Sequence, residues 1–206
     1  MLSQFLQFLF SGITVGATYA LAALGFTLIY NASNVINFAQ GEFIMLGGML
    51  AVFFAQIGLP LPLVLILAVL IPALVGIFME KVAIEPVKGA DTVSLIIITI
   101  GASLVIRGLI QVWLGKGTFS FPAFSGDAPI HILGATLLPQ SLWVLAVTAL
   151  LVVSLWYFFS KTLTGKAMLA TSFNRTAAEL VGINTNWVLF LSFAMSAGLG
   201  AVGGIL

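Results

Sequence analysis

Apolar runs recur along the chain with short polar connections between them, at about 8–30, 37–57, 61–78, 92–114, 141–159 and 187–206. A bilayer core about 30 Å thick needs roughly twenty helical residues, so the first, fourth, fifth and sixth runs suffice as they stand. The second reaches spanning length only if the polar stretch NFAQGE is counted, and Pro60, Pro62 and Pro72 start and kink the third. Runs such as LPLVLILAVLIPALVGIF do not alternate, which excludes the dyad pattern of a transmembrane barrel. The expectation is an all-α fold: a polytopic transmembrane helical bundle of about six spans forming one domain over 1–206.

Composition strengthens that reading. Hydrophobic residues make up 61% of the chain and charged residues 6%, against about a quarter charged in an average soluble domain. With no cysteine there is no disulfide, thiolate metal site or cysteine nucleophile, and the single histidine, His131, leaves no cluster for zinc. A net charge of +1 from scattered basic residues argues against nucleic acid as a partner. The N-terminus, MLSQFLQFLFSG, lacks a basic n-region and reads as a retained first span. At the other end the chain stops at Leu206 inside an apolar run, so it is expected to be incomplete there.

Basic residues set the orientation, because short cytoplasmic loops retain them. Lys81 and Lys88 fall in one connection and Lys161, Lys166 and Arg175 in another, two spans later, which puts both on the cytoplasmic side. The loop over 115–140 carries only Lys116 and is rich in Gly, Pro and Ser, so it reads as external. Trp113, Trp143, Trp156 with Tyr157, and Trp187 fall near span ends, where interfacial aromatics sit. If 37–57 crosses fully, as expected, the N-terminus is external.

Several motifs have plain structural readings. GLGAVG, Gly198 to Gly203, matches G-x-G-x-x-G but follows no strand, and is read as helix packing rather than a nucleotide site. The same holds for Gly12, Gly16 and Ala20 and for Ser196, Gly200 and Gly204, spaced by four. His131, near Asp127 and Pro129, is read as a solvated loop residue, and paired-carboxylate chemistry is poorly supported because only Glu42 lies within a span. Arg107 shares its span with Thr92, Thr99 and Ser103; it is expected to snorkel to the outer headgroups, with Glu42 not its partner.

Two polar stretches remain. In NVINFAQGEF, Asn37 and Gln40 resemble a capping box and Glu42 complements the positive helix end. Polar residues at a broken helix end also mark transport sites, so Asn37, Gln40 and Glu42 are candidates for the edge of a translocation path. In TGKAMLATSFNRTAAELVGIN, Asn174 caps a short helix over 175–181, Gly182 stops it, and Ala177, Leu180 and Val181 make a small apolar face. Such a short helix is marginal alone and is stabilised by docking into something.

Together with VINFAQGEFIMLGGMLA, that second stretch resembles the inner-membrane permease subunit of branched-chain amino acid ABC importers over essentially the whole chain. Ala177, Ala178 and Gly182 match the family's EAA…G coupling pattern; Thr176 stands where its glutamate would be, and Glu179 supplies an acid one turn later. The resemblance implies that Asn174, Arg175, Thr176, Ala177, Ala178, Glu179 and Gly182 couple to an ATP-binding subunit. It further implies a second permease subunit, an external substrate-binding protein and a lipid bilayer as partners, no cofactor in this chain, and no enzymatic activity of its own. Urea or short amides as cargo, a related sugar permease, an ion-driven transporter or channel, and a non-transporting membrane scaffold remain alternatives.

Overall fold

The structure is a computed structural model that describes residues 2–33, 36–87, 91–117, 119–126, 128–132 and 135–206. Lys88 and Asp127, used above for orientation and for the setting of His131, lie outside these residues, as does the start of NVINFAQGEF. The bundle is helical: α1 (Leu2–Ser33), α2 (Gln40–Gln56), α3 (Leu61–Met79), α4 (Thr92–Leu114), α5 (Pro139–Lys161), α6 (Leu163–Phe173), α7 (Arg175–Leu180) and α8 (Thr185–Ile205). Five of these, α1, α3, α4, α5 and α8, are long and apolar enough to cross a membrane, and α2, at 17 residues, is shorter.

Three features depart from the sequence expectation. The second span loses 37–39, which are not helical, so α2 begins at Gln40. The external loop holds a small antiparallel hairpin, β1 (Ile130–Ile132) and β2 (Ala135–Leu137), with Ile130 opposite Leu137. The cytoplasmic loop holds a second helix, α6, whose N-terminus is capped by the Thr162 hydroxyl accepting from Gly165 N at 3.0 Å. Beyond Met79, α3 runs straight into a π turn, Glu80–Ile84, and a 3-10 turn, Glu85–Val87.

Side chains at one end of the bundle fix the chain's direction. Gln7 near the start of α1 donates from Nε2 to Thr136 O at 3.0 Å and accepts from Thr136 N at 2.7 Å, so its amide extends the edge of β2. Gln140 at the start of α5 donates to Leu206 O at 3.1 Å. The N-terminus, the hairpin and the end of α8 therefore share one end, which the basic connections make the outer one. From that end α1, α3 and α5 run away and α2, α4 and α8 return.

At the centre stands α8, whose most apolar window is 56% buried against 11% for α4 and for α5. Lipid tails are as apolar as leucine, so helices in a bilayer gain by close approach rather than by hiding oil from water. The small residues of α8 allow that approach. A Cβ on Gly204 would collide with Ile44 O of α2, one on Gly47 with Ala201 O, and one on Gly76 of α3 would lie 2.7 Å from Ala197 Cβ. The Ser196, Gly200 and Gly204 stripe is thus spent inside the chain, whereas nothing lies within 4 Å of a Cβ added to Gly12 or Gly16.

Gly47→Ala is expected to cost about 1–3 kcal/mol through overpacking, whereas Gly12→Ala changes stability by less than about 0.5 kcal/mol. Thermal unfolding of the two variants in detergent, beside the unsubstituted chain, checks the difference.

Candidate functional site

The break between α1 and α2 lies deep in the bundle. Gln40 packs against Ser196, eleven residues and about 16 Å along α8 from its inner end. Phe38 N donates to Thr99 Oγ1 at 3.3 Å, seven residues or about 10 Å along α4. Residues 36–39 thus lie within the membrane thickness, 38–39 as a turn, and α2 starts there.

A helix start has amides with no intrahelical partner, and in lipid each must find one. Local turns supply several: Ala39 N donates to Asn37 Oδ1 at 3.0 Å, Gln40 N to Asn37 O at 3.4 Å and Glu42 N to Ala39 O at 3.0 Å. The expected capping box between Asn37 and Gln40 does not form. The Gln40 amide instead crosses to α8, where Nε2 donates to Ser196 O at 3.3 Å and Oε1 lies 2.6 Å from Ser196 Oγ. That hydroxyl has one proton and a second acceptor at 2.6 Å, Gly25 O of α1. A Cβ on Gly25 would overlap Gln40 Nε2 as it is placed and lie 3.1 Å from Ser196 O, so this amide fits closely between α1, α2 and α8. Asn37 Nδ2 is buried with no hydrogen-bond partner.

Glu42 corrects the expectation for Arg107. Its side chain is 3% exposed and accepts from Arg107 Nη2 at 2.5 Å, Arg107 Nε at 3.4 Å and Ser103 Oγ at 2.9 Å. The pairing was unexpected because Glu42 was placed near the inner surface; starting α2 at depth raises it to the level of Ser103 and Arg107. Arg107 remains 54% exposed, so its guanidinium binds Glu42 while part of its surface faces outward. Thr99, Ser103 and Arg107, spaced by four, form one polar stripe of α4 that fastens the α2 entry. That spacing was readable in the sequence, as was the Ser196, Gly200 and Gly204 stripe, though only as helix packing; Thr185 gave no comparable signal.

The second candidate cluster is α7. Asn174 Oδ1 accepts from Ala177 N at 3.0 Å, and Gly182 ends the turn with φ +88°, both as expected. The helix is one residue shorter than 175–181. Ala178 is buried, whereas Leu180 and Val181 are 84% and 77% exposed, leaving apolar surface outward. Glu179, half exposed, leans toward the start of α8: Oε1 accepts from Thr185 Oγ1 at 2.6 Å and from Arg175 Nε at 3.3 Å. These donors, Thr185 foremost, hold the Glu179 carboxyl below the usual carboxylate range. The two clusters lie at different depths, joined through α8. Asn37, Gln40 and Glu42 are all buried, closing the α2 entry. A cavity of about 380 Å³ between α1, α5 and α6, bordered by Asn31, Trp156, Ser160 and Ser172, does not include them.

The profile of the family described as the permease component of branched-chain amino acid transport systems matches residues 8–206. The chain is 30% identical to the high-affinity branched-chain amino acid transport system permease protein LivH of Salmonella typhimurium, over 98% of this chain and 70% of that one. It is likewise 30% identical to BraD of Pseudomonas aeruginosa, a permease protein of the same description, with the same coverage. The ribose import permease protein RbsC of Haemophilus influenzae is 25% identical over 91% of this chain and 56% of its own. No solved structure matches.

The Glu42–Arg107 pair is asymmetric, because the carboxylate is enclosed and the guanidinium is half exposed. Removing one partner of a buried pair strands the other charge. Arg107→Met should therefore lower the melting temperature in detergent more than Glu42→Gln does, and the double variant should recover most of the difference.

Proposed function

The chain belongs to the permease family of branched-chain amino acid transport systems, and on that premise we propose that it is the membrane subunit of an ATP-driven importer of branched-chain amino acids. It is a multi-pass protein of the inner (plasma) membrane. The observation that carries the coupling role is α7, a capped two-turn helix with Leu180 and Val181 outward, joined at Gly182 to the most buried helix of the bundle. An exposed apolar pair on so short a helix fits insertion into a cleft on an ATP-binding subunit.

In this reading ATP hydrolysis, the second permease copy and the external binding protein belong to separate chains. ATPase closure displaces α7, and α8 passes the displacement to the α2 entry through Ser196 and Gln40. Opening there exposes Asn37, Gln40 and Glu42 beside the path. A branched-chain amino acid is a zwitterion with an apolar side chain, which suits an apolar route with a few amides and a single ion pair. Relatives named for branched-chain amino acids cover more of the chain, at higher identity, than the ribose permease does, which favours amino acids over sugar.

Labelled leucine uptake by vesicles holding the complete assembly tests this. Uptake should need ATP and resist excess urea, and a Leu180→Cys variant should cross-link to cysteines lining the ATPase cleft. Glu42→Gln should assemble normally but take up leucine about tenfold more slowly, as for a barrier raised by ~1.4 kcal/mol. Urea-sensitive uptake would overturn the cargo, and absent cross-links across neighbouring cysteine pairs would overturn the docking role.

A further inference from the structure

The function so far leaves one bond unused: the one from Thr185 to Glu179. Thr185 is the first residue of α8, 4% exposed, and its hydroxyl reaches a carboxylate oxygen at 2.6 Å. Hydrogen bonds to an ionised acceptor are shorter and stronger than neutral ones.

Each cap around it is self-contained. Gly182 N and Ile183 N donate back to Glu179 O and Ala178 O, both at 3.0 Å, closing the end of α7. Asn184 Oδ1 accepts from Asn186 N and Trp187 N, both at 3.1 Å, opening α8. Between them the chain passes through Gly182 in the left-handed region, where glycine is free to adjust. Across that glycine the backbone cap bond from Ile183 N to Ala178 O stays within the end of α7 and does not reach α8, which begins at Thr185. The Glu179–Thr185 bond spans that glycine and joins the two helices.

We propose that Thr185 is a positioning residue for transport, and that Glu179 serves as an inward strut to it rather than as a contact to the ATPase. The proposal rests on the reading of α7 as the docking helix. One carboxylate oxygen of Glu179 takes both donors, Arg175 one turn earlier and Thr185 on α8, whereas Leu180 and Val181 are the apolar surface that α7 turns outward for docking. Thr185 touches no cargo; it makes the displacement of α7 reach Ser196, eleven residues along the same helix.

The test uses the complete assembly in vesicles, with ATP hydrolysis and leucine uptake measured together. Thr185→Val keeps the shape and deletes the donor; Thr185→Ser keeps the donor. For Thr185→Val the assembly should form and hydrolyse ATP within about twofold of the unsubstituted protein, while uptake per ATP falls about fivefold, a modest loss because Glu179 is half exposed. Thr185→Ser should retain coupling. Glu179→Ala should uncouple to a similar degree, and the double variant with Thr185→Val should be no worse than either alone, as expected for two halves of one bond.

Unchanged uptake per ATP in Thr185→Val would overturn the proposal, and so would losses that multiply in the double variant. Failure of Thr185→Val to assemble while Thr185→Ser assembles would also overturn it, making the bond one of folding. The Leu180→Cys cross-link separates the two readings. Its absence in the otherwise unsubstituted chain removes the docking role itself, whereas its presence in a Thr185→Val chain that still couples removes only the strut.

Discussion

Much of the architecture follows from one constraint: α2 starts inside the membrane thickness, where no water is at hand to satisfy the amides of a helix start. Local turns through Asn37 and Ala39 meet most of that demand, Thr99 of α4 receives the amide of Phe38, and other helices hold the polar side chains at the entry. Ser196 and Gly25 receive Gln40 on one side, and Thr99, Ser103 and Arg107 hold Phe38 and Glu42 on the other. This also accounts for α4, which buries little of its apolar surface and is fastened to the bundle by a polar stripe.

The same constraint explains the crowding of glycines on α8 and its neighbours. A glutamine amide reaches Ser196 only if α1 and α8 leave room for it, and both do so by omitting a side chain: a Cβ on Gly200 would lie 3.0 Å from Gln40 Nε2, and one on Gly25 would overlap it. Further out, Gly47, Gly48 and Gly204 bring α2 and α8 into backbone contact. Close packing and polar satisfaction are thus achieved by the same stripe of α8.

How legible this was differs by element. The boundaries of α4 were readable because a predominantly apolar stretch of 23 residues with one charge, bounded by Asp91 and Gly115, admits little else. Asn174 and Gly182 were readable because capping chemistry is local. The partners of Gln40 and Glu42 were not, because they lie 156 and 65 residues away and depend on the depth at which α2 begins, which hydropathy does not report. The hairpin and α6 were hidden by short segments whose composition fits a loop equally well. For α6 the signal was faint: Thr162 followed by Gly165 gives a cap, but the helix has too weak an apolar stripe to stand out.

The site as described is closed, and the balance that closes it is small. Asn37 Nδ2 is an unpartnered buried donor, and such a group costs about 1–3 kcal/mol relative to one that meets water or an acceptor. Any rearrangement that wets the α2 entry recovers that penalty. Against it stand the Gln40–Ser196 contacts and the Glu42–Arg107 pair, and the two respond differently to motion. Arg107 is half exposed on a long flexible chain and can follow Glu42 through a shift of a few ångströms. The Gln40 wedge cannot, because it is fitted between two glycines and a serine on rigid helices. In the proposed mechanism, displacement of α8 therefore strains the Gln40 contact first while the ion pair to Arg107 stays intact. In that mechanism the latch lies on the helix that receives the push and the charge is held by α4, so opening leaves no carboxylate stranded in the membrane.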